Sequence, residues 1–138
     1  MSYLIDTNVI SELVSAKPHR NVIAWFKLIP VDTVFLSVLT LGEIRKGIEK
    51  VKDNKRKKKL LVWLEHGLIQ MFNTRILDIT IDVADRWGRL QHQVTRTLPA
   101  IDSLIAATAL HHDMTLVTRN MDDFLDCPGL EIINPWTD

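Results

Sequence analysis

Apolar residues recur along this chain at two spacings, and the two alternate. Tyr3–Ile5 is a short unbroken apolar run, which suits a strand buried on both faces. From Asn8 to Val14, apolar Val9, Ile10, Leu13 and Val14 fall at helical spacing. Asn21–Leu28 repeats the pattern with Val22, Ile23, Trp25 and Phe26 before Pro30 ends it. Thr33–Leu39 is β-branched and apolar and predicts a second strand, followed by a helix from Thr40 to about Lys52. The charged stretch Asp53–Lys59 reads as a link and Leu60–Phe72 as a helix. A third strand is expected at Arg75–Ile79. Asp82–Val94 is helical, with Val83, Ala84, Trp87, Leu90 and Val94 on one side. Pro99 opens another apolar helix that runs to about His112, and strands at Thr115–Thr118 and Glu131–Ile133 complete the series.

Strands alternating with helices predict an α/β fold in three layers, a mostly parallel central sheet with helices on both faces. No internal repeat or Ser/Gly-rich linker interrupts the pattern, so residues 1–138 are expected to form a single domain. In such sheets ligands gather beyond the carboxyl ends of the strands. Acids placed just after strands therefore draw notice.

Composition narrows the choices. With 46% hydrophobic and 25% charged residues, the chain is neither disordered nor fibrous. Its lone cysteine, Cys127, excludes an internal disulfide and a cysteine-based zinc cage. The five histidines show no metalloprotease spacing. The start of the chain lacks the marks of a signal peptide and no apolar run is long enough to span a bilayer, so a cytoplasmic address is expected. The 17 basic and 17 acidic residues cancel, but nine of the 17 basic ones fall between Arg45 and Lys59, opposed there only by Glu49 and Asp53. A neutral chain with such a stretch can still grip a polyanion locally. Arg45 and Lys46, next to Glu43, are the candidate nucleic-acid-binding residues, although no aromatic residues interleave the run to suggest base readout.

Three acids stand out. Asp6 follows the first strand, Glu43 lies four residues past the second, and Asp102 lies three residues past Pro99. A fourth is sought in Thr118-Arg-Asn-Met-Asp-Asp-Phe124, among Asn120, Asp122 and Asp123. Each has a plain explanation. Glu43 matches a capping box with Thr40, Asp102 suits the dipole of its helix, and Asp6 can cap the helix after it. Their apolar flanks argue for more, because carboxylates set among core-forming segments are costly unless paired or metal-bound. If the strand ends converge, three or four carboxylates share a small space, and a cation relieves their repulsion. All-oxygen donors suit Mg2+ or Mn2+, and such a site hydrolyses phosphodiesters.

Leu-Ile-Asp6-Thr-Asn8, Leu-Thr-Leu-Gly-Glu43-Ile-Arg-Lys-Gly, Leu-Pro-Ala-Ile-Asp102-Ser-Leu-Ile-Ala-Ala and Leu-Val-Thr-Arg-Asn120-Met-Asp-Asp-Phe together resemble the PIN-domain family. The nearest likeness is to the toxin ribonucleases of VapBC/FitAB-type toxin–antitoxin pairs, over essentially the whole chain. The resemblance implies a Mg2+- or Mn2+-dependent endoribonuclease, usually dimeric, silenced by a small DNA-binding antitoxin. It assigns Asp6, Glu43 and Asp102 to the metal site. At the fourth position some members carry Asp where this chain has Asn120; either Asp123, ranked ahead of Asn120 on charge, takes that role or the site works with three acids. Thr7, Asn8, Thr118 and Asn120 are expected to support the acids through hydrogen bonds. An apolar surplus on the early helices, Ile10, Leu13, Val14, Trp25, Phe26 and Leu68 among it, offers a groove for an amphipathic partner helix. Three rivals were weighed. A phosphoacceptor module wants an acidic pair near the first strand and a late lysine, and no lysine follows Lys59. A dehalogenase-like phosphatase wants Asp-x-Asp, where this chain has Asp6-Thr-Asn8. The last is an interaction module with weak or no catalysis, in which the acids only cap helices.

Overall fold

A computed structural model describes residues 1–138. Five strands, β1 (Tyr3–Ile5), β2 (Val34–Ser37), β3 (Ile76–Leu77), β4 (Thr115–Val117) and β5 (Ile132–Ile133), form one sheet in the order β3-β2-β1-β4-β5. Every pairing is parallel, with Leu4 opposite both Phe35 and Leu116. The expected three-layer α/β architecture is present, and its sheet is parallel throughout.

Helices α1 (Thr7–Leu13), α2 (Arg20–Leu28), α3 (Val38–Glu49), α4 (Asn54–Val62) and α5 (Ile69–Phe72) lie in the first half of the chain, with α6 (Ile81–Gln93) and α7 (Ala100–His111) following. Alternation along β1 explains the layers. Ile5 points into a core with Val9, Val22, Leu36, Ile44 and Leu68, while Leu4 points into another with Leu90, Ile105, Leu116 and Phe124. The strands are buried on both faces, which is why they read as continuous apolar runs. No helix is long and apolar enough to cross a membrane.

Three local expectations need correction. Asp53–Lys59 is not a link: Asp53 caps α4, accepting from the Lys55 amide at 3.0 Å, and the basic residues ride on that helix. Between α4 and α5 the helix widens into a π-turn over Trp63–Leu68, so the expected Leu60–Phe72 helix is part of a longer, interrupted one. The second strand stops at Ser37, whose hydroxyl caps α3 by accepting from the Leu39 amide at 3.1 Å. Thr40 and Glu43 therefore form no capping box. Thr40 lies buried one turn inside the helix, and its hydroxyl has no partner.

Candidate active site

The order of the sheet creates the site. After β1 the chain builds outward to β2 and β3, then crosses back to add β4 on the other side of β1. The carboxyl ends of β1 and β4 thus flank the topological switch point, where a crevice opens. Asp6 is the first residue beyond β1, and its amide donates to the Val117 carbonyl at 2.9 Å. Its carboxylate caps α1 by accepting from the Thr7 amide at 2.8 Å, so the plain capping role exists. It is not the whole role. The other oxygen, Oδ2, accepts from the Thr118 hydroxyl at 2.8 Å, just past β4.

A polar frame surrounds that contact. Asn8 Nδ2 donates to Thr118 Oγ1 at 3.3 Å, and Asn8 Oδ1 accepts from the Arg119 amide at 3.2 Å. The Asn120 amide donates to Thr118 Oγ1 at 3.1 Å. Thr7 Oγ1 donates to Glu43 Oε1 at 2.6 Å, which ties α3 to the start of α1. Of the Thr and Asn residues singled out in the sequence, Thr7, Asn8 and Thr118 bond to the Asp6 or Glu43 carboxylates, and Asn120 reaches them only through Thr118.

Asp102 arrives from the opposite layer, in the first turn of α7. No hydrogen bond holds its carboxylate, but the residue after it is anchored. Ser103 is fully buried, accepts from Trp87 Nε1 at 2.8 Å and Gln91 Nε2 at 3.0 Å, and donates to the Ala100 carbonyl at 2.9 Å. This hydroxyl uses its whole bonding capacity to pin the α7 turn to α6. Nothing in the sequence marked Ser103 for that task.

Electrostatics tie the acids together. Burial pushes the Asp6 carboxyl above its ordinary range against the lowering effect of Thr118 and Thr7, and the charges of Glu43 and Asp123 raise it further. Asp102 is pushed up to about 6, first by burial and then by Asp6, Asp123 and Glu43. Asp123, half-buried, therefore acts on both carboxyls, while Asn120 contributes a backbone bond to Thr118. None of the chain's five ion pairs involves these four acids. Their side chains do not close about one point as ligands. The donor set, two raised carboxyls beside two further acids with hydroxyl and amide neighbours and no ion pair, has the chemistry that suits a hard divalent cation.

The basic run is disposed differently. Arg45 faces away into an ion-paired surface, its Nη1 3.1 Å from Glu65 and its Nε 3.6 Å from Glu49. Lys57 also leans on Glu49, at 3.7 Å. Lys46 is exposed and without an ion pair. On the α1–α2 side, a groove lined only by apolar side chains, among them Ile10, Leu13, Phe26, Val31, Trp63 and Met71, opens at the surface. Of the residues expected to form a groove, Ile10, Leu13, Val14, Phe26 and Leu68 line it, whereas Trp25 packs against Tyr3 at the core instead; Trp63, at the π-turn, completes the wall.

Residues 3–129 match the PIN domain model, and the chain belongs to the PIN-domain family. It is 33% identical over 138 residues to the toxin FitB of Neisseria gonorrhoeae, covering 98% of this chain and 99% of that protein. It is 35% identical over 136 residues to the VapC ribonuclease Y4jK of Sinorhizobium fredii, covering 96% of each. The crystal structure of FitAcB from Neisseria gonorrhoeae superposes with a TM-score of 0.93 at 32% identity, covering 99% of both chains. A structure of FitAB bound to a DNA fragment superposes with a TM-score of 0.92 at 32% identity, covering 99% of this chain and 96% of that one.

Proposed function

We propose that this protein is an endoribonuclease toxin of a toxin–antitoxin pair, acting through Asp6, Glu43, Asp102 and Asp123 with Mg2+ or Mn2+. One observation carries the reading. Acids from separate segments lie near the switch point of the sheet, the Asp6 and Asp102 carboxyls raised by burial and by the charges of Glu43 and Asp123, and none of the four in an ion pair. Relatives named as VapC ribonucleases align along nearly the whole chain, in support of RNA as the substrate.

Asp6 and Asp102 would hold the ion from the two sides of the sheet, and Glu43 and Asp123 would complete its oxygen environment. When bound, the ion supplies Lewis acidity toward water and charge neutralisation at the phosphate. Thr118 keeps one oxygen of Asp6 aimed away from the capping bond. Thr7 fixes Glu43 at 2.6 Å, leaving its second oxygen to orient the attacking water. The pinned first turn of α7 keeps Asp102 from drifting as charge accumulates.

A small DNA-binding antitoxin is the proposed inhibitor, with its amphipathic segment in the apolar groove. FitAB and VapBC complexes on DNA are the neighbours that suggest it. Residues 1–138 would act as one catalytic unit, assembled as a homodimer in the cytoplasm.

The test is cleavage of a mixed tRNA, rRNA and mRNA pool by partner-free protein, with EDTA and Asp102→Asn as controls. Discrete products that require Mg2+ or Mn2+ and vanish in the variant support the assignment. Products that persist in the variant come from another nuclease and defeat it.

A further inference from the structure

A site rich in carboxylates repels a polyanion beyond the one phosphate a metal ion would neutralise, so an unpaired cation of the protein beside it is the natural grip on the rest of the strand. Arg45 does not serve well, since Glu49 and Glu65 already engage its guanidinium. Arg119 is placed differently. It follows Thr118, the residue that grips Asp6, and its own amide is held by Asn8 Oδ1 at 3.2 Å. Its main chain is therefore fixed to the acidic frame. Its exposed side chain joins no ion pair, although it borders the same depression as Asn120, Asp123 and Asn134.

The guanidinium lies over the ring of Trp136, 5.1 Å from its centre. Trp136 is itself buried and locked: Asn21 Nδ2 donates to its carbonyl at 2.8 Å, and its amide donates to Asn134 Oδ1 at 2.9 Å. Stacking on a ring orders the arginine without consuming the in-plane N–H donors that match a phosphate. We infer that Arg119, seated on Trp136, is a substrate-positioning residue that binds an RNA backbone phosphate next to the acidic site. This rests on the ribonuclease reading and adds to it the residue that holds the strand.

The test separates the two claims. Binding of fluorescent single-stranded RNA is measured in Mg2+ across a salt series, in an Asp102→Asn background where nothing is cut. Arg119→Ala is expected to weaken binding about tenfold and to lower the slope of log affinity against log salt by about 0.7, one single-strand phosphate contact. Arg119→Lys should keep the slope while binding less tightly than the parent, because the charge stays but the fork is lost. Arg89→Ala, an equal charge loss on the outer surface of α6, should leave the slope as in the parent. In the active protein, Arg119→Ala should raise KM about tenfold with a much smaller change in kcat. Unchanged affinity and slope in Arg119→Ala, beside a parent that binds, would overturn the role of Arg119 alone. A parent that binds no RNA, together with no cleavage by the active protein, would overturn the ribonuclease reading and this inference with it.

Discussion

The Thr118 hydroxyl donates to Asp6 Oδ2 at 2.8 Å across 112 residues of sequence. That bond joins the ends of the two central strands and sets which oxygen of Asp6 faces the crevice. Thr118→Val keeps the shape and removes the donor. Asp6 should then be harder to ionise, and RNA cleavage should fall about 10–100-fold, the usual cost of losing a ligand's hydrogen-bond support. Thr118→Ser should retain most of the activity. Steady-state rates at saturating metal decide it, and a Thr118→Val rate equal to wild type would remove the role assigned to this bond.

The raised Asp102 carboxyl has a consequence for stability that runs opposite to the common case. Its folded value, about 6, lies above the ordinary 3.8, so between those limits the folded chain binds more protons than the unfolded one. Metal-free protein should therefore lose stability from this group as pH rises from about 4 to about 6, and hold it below that window. Asp102→Asn carries no such charge. It should melt higher than wild type at pH 7, with the difference vanishing near pH 3.5. Thermal melts in EDTA across pH would measure this, and a variant less stable at pH 7 would contradict it.

A divalent cation should reverse that penalty. At a hundredfold excess over its Kd, an ion bound only by the folded state adds about 2.7 kcal/mol. Mn2+ should raise the melting temperature of wild type and not that of Asp6→Asn. Because the carboxyls must ionise to bind it, the shift should be small at pH 5 and large at pH 7.5. An equal shift in both proteins would place the ion elsewhere.

Ser103→Ala tests the anchor under Asp102. The change strands the partly buried Trp87 Nε1 and Gln91 Nε2 donors, at a cost of roughly 1–3 kcal/mol in unfolding free energy. Urea denaturation would detect it. A loss below about 0.5 kcal/mol would mean that water replaces the hydroxyl without harm.

Much of the architecture was legible in advance because buried parallel strands and amphipathic helices leave different periods in the sequence. Asp6, Glu43 and Asp102 were visible because each is a carboxylate set among apolar residues that form the core. What stayed hidden depended on contacts between distant residues. The charged residues 53–59 resemble a link, yet Asp53 caps them into a helix and Leu60 and Leu61 pack that helix on the core. Thr40 matches a cap motif, but Ser37, three residues earlier, ends the strand and captures the role. The Arg119–Trp136 stack joins a loop after β4 to the tail, with no local pattern to announce it. The Trp87–Gln91–Ser103 network is equally silent, since each residue looks ordinary on its own helix.

The order β3-β2-β1-β4-β5 also sets when the chemistry comes into being. β1 is made first and lies at the centre, so during synthesis one of its edges stays open until β4 emerges. Until then Asp6 lacks its bond to Thr118. The proposed site is thus complete only once the last third of the chain has packed against β1. The newest contacts complete the oldest strand, and the proposed site arises with them.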